Sequence, residues 1–89
     1  MAKRKQSKRD TVTYDLRNSK GEIVYRGTTN DSDRRKQEHR DKGKQFANLT
    51  VTSQKMTEDG AMRKESKDLA TYRRGHGGSN PKYNKDDDG

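Results

Sequence analysis

Residues Thr11–Gly27 read TVTYDLRNSKGEIVYRG, and the fold follows from how this stretch divides. Thr11 to Arg17 alternates strictly: Val12, Tyr14 and Leu16 point one way, Thr11, Thr13, Asp15 and Arg17 the other. A period of two marks a half-buried strand. Asn18-Ser19-Lys20-Gly21 is turn chemistry. Glu22 to Gly27 then reads as a second strand with Ile23, Tyr25 and Gly27 on one face. A four-residue loop over 18–21 places Leu16 opposite Ile23, Tyr14 opposite Tyr25 and Val12 opposite Gly27. The apolar faces then coincide, and the two tyrosines become cross-strand neighbours. A slip of one residue would set apolar against polar throughout.

Beyond the hairpin, Asp31 to Lys42 has the acidic start and basic end of a helix, with Asn30 or Asp31 to cap it and Gly43 to end it. This helix has no apolar residue, so burial of an apolar face does not explain its position. Ala47 to Ser53, ANLTVTS, sets Leu49 and Val51 against Asn48, Thr50 and Thr52, the pattern of a third strand. Thr57 is an N-cap for a second helix reaching about Arg74, and GHGGSNP then breaks regular structure. The order is β-β-α-β-α. The expected class is α+β: a three-stranded antiparallel sheet flanked by helices.

Composition limits what this domain can be. Leu, Ile, Val and Phe together number eight and 40% of residues are charged, so the core is thin. The net charge of +8 favours polyanionic partners. The longest apolar run, Ile23-Val24-Tyr25, excludes a transmembrane helix or signal-peptide core. The absence of Cys excludes disulfides and thiolate metal sites. The chain reads as soluble and cytoplasmic, with no membrane partner and a monomer as the default. Residues 1–10 form a basic arm expected to be mobile, 11–84 the domain, and 85–89 an acidic tail. Asp86–Asp88 in that tail reads as solubilising.

Several positions carry potential chemistry. In the second helix Ala61, Leu69 and Tyr72 form a stripe flanked by Met62, and Glu65 stands on that stripe. An inward carboxylate needs a partner. A Lys or Arg supplies one, and so does a metal ion, since Mg²⁺ takes one or two carboxylates and keeps most of its waters. Arg35 and His39 share a face of the first helix and suit either solvent or a phosphate. Tyr14 and Tyr25 are ordinary aromatic neighbours unless a cation favours deprotonation of a phenol. Gly75, Gly77 and Gly78 around His76 read as a flexible link or as an approach for phosphate.

Together these positions resemble the GIY-YIG nuclease domain over residues 11–84. Val12-Thr13-Tyr14 stands for its first motif and Tyr25-Arg26-Gly27 for its second, eleven residues apart from tyrosine to tyrosine. Arg35 and His39, with Arg34 as the alternative register, match the family's first-helix residues, and Glu65 its metal-binding acid. Asn84 matches a late Asn, with Asn80 as competitor. Val12 replaces the first motif's Gly, and Arg26 replaces an apolar residue while lying on the outer face.

The resemblance implies a single-metal endonuclease that hydrolyses DNA phosphodiesters. Glu65 would hold Mg²⁺ or Mn²⁺, and Tyr14 would act as general base. Tyr25 would position water or phosphate, Arg35 stabilise charge, and His39 assist proton transfer or hold phosphate. Asn84 would support the groove, expected to be shallow and wet. Lys3, Arg4, Lys5, Arg26, Arg34 and Arg35 would contact nucleic acid. The alternatives are a non-catalytic nucleic-acid-binding module of the same fold, and a basic disordered chain that folds on its partner.

Overall fold

The computed structural model describes residues 9–84. Lys3, Arg4 and Lys5 of the basic arm, and the acidic tail 85–89, lie outside the described residues.

The element order is β1 (Val12–Arg17), β2 (Ile23–Thr29), α1 (Ser32–Asp41), β3 (Asn48–Val51) and α2 (Glu58–Gly75), followed by a 3₁₀ turn at Lys82–Asn84. The strands form one antiparallel sheet in the order β2-β1-β3. This is the α+β class expected from the sequence. Both helices begin at their expected caps. The Asp31 side chain accepts a hydrogen bond from the Arg34 amide, and Thr57 accepts one from the Gly60 amide. Gly43 follows α1 at φ +86°, where a side chain would be strained.

The hairpin register differs from the expected one. Asn18 closes a tighter loop: its amide donates to the Glu22 carbonyl, and its Oδ1 accepts from the amides of Lys20 and Glu22. Gly21, at φ +84°, makes the turn. Shortening the loop by one residue would swap the faces of β2. A bulge restores them: Arg17 pairs with Ile23 but Leu16 pairs with Tyr25, leaving Val24 as the extra residue. Beyond it Tyr14 pairs with Gly27 and Val12 with Thr29. The tyrosines therefore share a face as expected, but they are diagonal neighbours rather than a directly opposed pair.

Gly27 shows why this register is preferred. A Cβ there would lie 2.8 Å from Tyr25 Cε2 and 2.9 Å from the Tyr14 hydroxyl. Both rings lean over the bare glycine, and a side chain beneath them would displace one or both.

Central β1 is buried on both faces, not one. Tyr14, Leu16, Val24, Tyr25 and Phe46 form the core cluster, joined by Leu49 and Tyr83. On the face of β1 opposite Tyr14, Asp15 is only 3% exposed and is paired with Arg26 at 3.0 Å and Arg17 at 3.5 Å. The Arg26 Nη1 donates to the Asp68 carbonyl of α2. The expected outer face is thus covered by α2, and Arg26 is part of that packing. Ala61, fully buried, lets α2 approach closely, while Met62 turns to solvent. Val51, expected to be internal, is 46% exposed because β3 is an edge strand.

Candidate active site

The polar helix α1 is tied to the sheet through one buried side chain, His39. Its Nε2 lies 2.6 Å from the Tyr14 hydroxyl, and its ring meets Tyr25 edge-on at 4.6 Å between centroids. The tyrosine rings are 6.0 Å apart. One histidine therefore bridges both strand motifs, and the caps at each end of α1 set its direction.

The electrostatics of this cluster are dominated by burial. Desolvation pushes the Tyr14 phenol well above the usual range, with the neighbouring Tyr25 adding to the rise and Arg35 opposing it. Tyr25 is also raised by burial; Arg35 counteracts this and Glu65 reinforces it. Burial lowers His39 to about 4, helped by Lys44, Arg35 and Lys42. At neutral pH the cluster therefore holds two phenols and a neutral imidazole. Among the described residues, His39 Nδ1 and Arg35 Nε are buried without a hydrogen-bond partner.

Arg35 donates to Glu38 at 2.9 Å and keeps its side chain 30% exposed, so it spans from the buried phenols to solvent. Arg34 is more exposed and pairs with the same Glu38 at 3.6 Å. Arg35 acts on both phenols and is among the main influences on each.

Glu65 is half-buried on α2, and its carboxyl is raised chiefly by desolvation, against a lowering by Arg35. Among the described residues it makes no direct ion pair. Its negative charge contributes to the rise at Tyr25, and Arg35 in turn favours its ionised form, so Glu65 is electrostatically linked to the tyrosine cluster. No group of three or more metal-ligating side chains occurs among the described residues. A single acid without an ion-pair partner fits a mostly hydrated Mg²⁺ or Mn²⁺, which take few protein oxygen ligands, better than a Zn²⁺ site of three or four protein ligands.

Asn84 does not join this cluster through a hydrogen bond. It is 2% exposed and clamps the main chain of Arg26: Oδ1 accepts from the amide at 2.7 Å, and Nδ2 donates to the carbonyl at 2.9 Å. It acts as a one-residue extension of the sheet edge beside Tyr25. Asn80 instead accepts from Arg73 and donates to the Asn84 carbonyl, holding the turn against α2.

The expected wet, shallow groove is not present at the phenols. Tyr14, Tyr25 and His39 are 1%, 4% and 3% exposed, because the glycine floor lets their rings close against one another. Lys44 was not singled out in the sequence. Its ammonium lies 5.4 Å from the Tyr25 ring centroid and 5.9 Å from that of Tyr83. It falls in an irregular segment, where no periodicity marks it.

Comparison with protein-family models, curated proteins and solved structures finds no match to this chain.

Proposed function

We propose that this protein is a divalent-metal-dependent endonuclease acting on phosphodiester bonds in DNA, of the GIY-YIG kind its motifs resemble. The observation that carries the reading is the grouping of Tyr14, Tyr25 and His39 beneath Arg35, with Glu65 within electrostatic reach.

In this reading Tyr14 takes a proton from the attacking water. The Tyr14 hydroxyl proton moves in turn to the neutral Nε2 of His39. Arg35 and Lys44 hold the phosphate, and its negative charge offsets the cations that depress His39, making the imidazole a better acceptor once substrate is bound. Arg35 then meets the charge that builds on the phosphate oxygens. Tyr25 orients water or phosphate, and Asn84 keeps β2 in place. Glu65 would hold Mg²⁺ or Mn²⁺, which when bound supplies Lewis-acid stabilisation of the phosphate and leaving oxygen.

The near-complete burial of both phenols favours a second reading, a nucleic-acid-binding module of this fold without cleavage. Supercoiled plasmid incubated with Mg²⁺, Mn²⁺ or EDTA separates the two, with binding confirmed first. Nuclease action predicts nicking with metal, none with EDTA, and none from Glu65→Ala. Equal nicking by wild type and Glu65→Ala overturns the proposed mechanism. Salt-dependent binding that is indifferent to EDTA, with no nicking, assigns the second reading.

A further inference from the structure

A groove of about 840 Å³ opens between the β1–β2 hairpin and the C-terminal part of α2. None of Tyr14, Tyr25, Arg35, His39 or Glu65 lines it. Its walls carry Arg17, Arg26 and Lys82 against the single lining acid Glu22, a net positive lining, with the buried Asp15 behind it shared by Arg26 at 3.0 Å and Arg17 at 3.5 Å. Glu22 is engaged by the Asn18 side-chain amide at 2.9 Å. Arg17 is braced by the Gly21 carbonyl at 2.8 Å, and Lys82 is exposed.

The same wall holds a stacked pair of rings. Tyr72 and His76 lie 3.7 Å apart and within 3° of parallel. The His76 Nδ1 is 2.8 Å from the Tyr72 carbonyl, so it donates there and fixes the imidazole over the phenol. The Arg26 guanidinium lies 5.9 Å from the Tyr72 centroid, further holding that ring in place. Tyr72 is thus partly buried by its neighbours, while His76 is exposed. The pair presents an ordered, flat π surface beside cations, at the end of a groove of ligand size.

We propose that this groove binds an unpaired stretch of nucleic acid, with a base stacked on the exposed side of His76 and its flanking phosphates met by Arg17 and Lys82. A flat ring beside cations is the arrangement that single strands use, because every base has a π-face and every link a charge. An acidic peptide would match the charge but not the platform. Duplex DNA matches the charge but keeps its bases stacked on one another. Binding here needs no metal and no cleavage, so it stands or falls separately from the nuclease reading.

The test is fluorescence anisotropy of labelled single-stranded DNA and RNA oligomers of about 12 adenine nucleotides, within the usual site-size range, in EDTA. A duplex of the same length serves as comparison. His76→Ala is expected to weaken single-strand binding about five- to tenfold and duplex binding less than about twofold, while His76→Trp restores the single-strand affinity. Lys82→Ala is expected to reduce the slope of log affinity on log salt by about 0.7 for a single strand. The DNA and RNA arms identify which strand the groove prefers. Circular dichroism checks that the exposed substitutions leave the fold intact. Unchanged single-strand affinity in His76→Ala, or an equal loss on single strand and duplex, overturns the proposal.

Discussion

The Tyr14 hydroxyl and the Nε2 of His39 lie 2.6 Å apart across 25 residues of sequence. This contact joins the central strand to a helix that has no apolar side chain to bury. Tyr14→Phe keeps the ring but removes the partner of Nε2 and leaves both imidazole nitrogens unpaired. It is expected to destabilise the fold by about 1–3 kcal/mol, read as a lower urea midpoint at an unchanged slope. Under the proposed mechanism it also abolishes metal-dependent nicking.

Acid should weaken the same contact. The folded pKa of His39, about 4, lies below its ordinary value of 6.5, so the unfolded chain binds the extra proton between these pH values. The stabilisation due to the neutral imidazole is fully present above pH 6.5 and is lost as pH falls toward about 4. The loss attributable to His39 is at most about 3 kcal/mol. Urea melts at pH 7 and pH 4.5, compared between wild type and His39→Gln, isolate this group from the carboxylates. A pH dependence no smaller in the variant would contradict the assignment.

Gly27→Ala places a methyl 2.8 Å from the Tyr25 ring and 2.9 Å from the Tyr14 hydroxyl. The obstacle is space, not backbone conformation. The rings must tilt, with an expected loss of about 1–3 kcal/mol and a displaced Tyr14–His39 contact. A thermal melt reads the first effect. The His39 ring signals in an NMR spectrum read the second.

Asn84→Ala leaves the Arg26 amide and carbonyl without their side-chain partners at the edge of β2. The expected cost is about 2–3 kcal/mol. Hydrogen exchange at the Arg26 amide should accelerate far more than at Tyr14 in the central strand. Uniform acceleration at both amides would indicate global destabilisation in place of a local clamp.

Much of the fold was legible in short windows of sequence. The alternation over 11–17 marks β1, Asp31 and Thr57 mark the helix starts, and Gly43 marks an end. These signals are local: a cap or a period needs only a few neighbouring residues to operate. The α+β order followed from them, as did Tyr14 and Tyr25 on a common face.

The remaining features arise from long-range packing. The hairpin register depends on Asn18 closing a tighter loop and on Val24 absorbing the resulting offset, two changes that cancel in the facing pattern and so left no trace in it. The burial of Asp15 and Arg26 depends on where α2 crosses the sheet, and the bond from Asn84 to Arg26 spans 58 residues. Which segments become strands and helices is set by neighbours along the chain, and so is readable locally. Which side chains meet was settled by volume and hydrogen-bond satisfaction between distant segments, as at Gly27, where the absence of a side chain lets two tyrosines and a histidine close together.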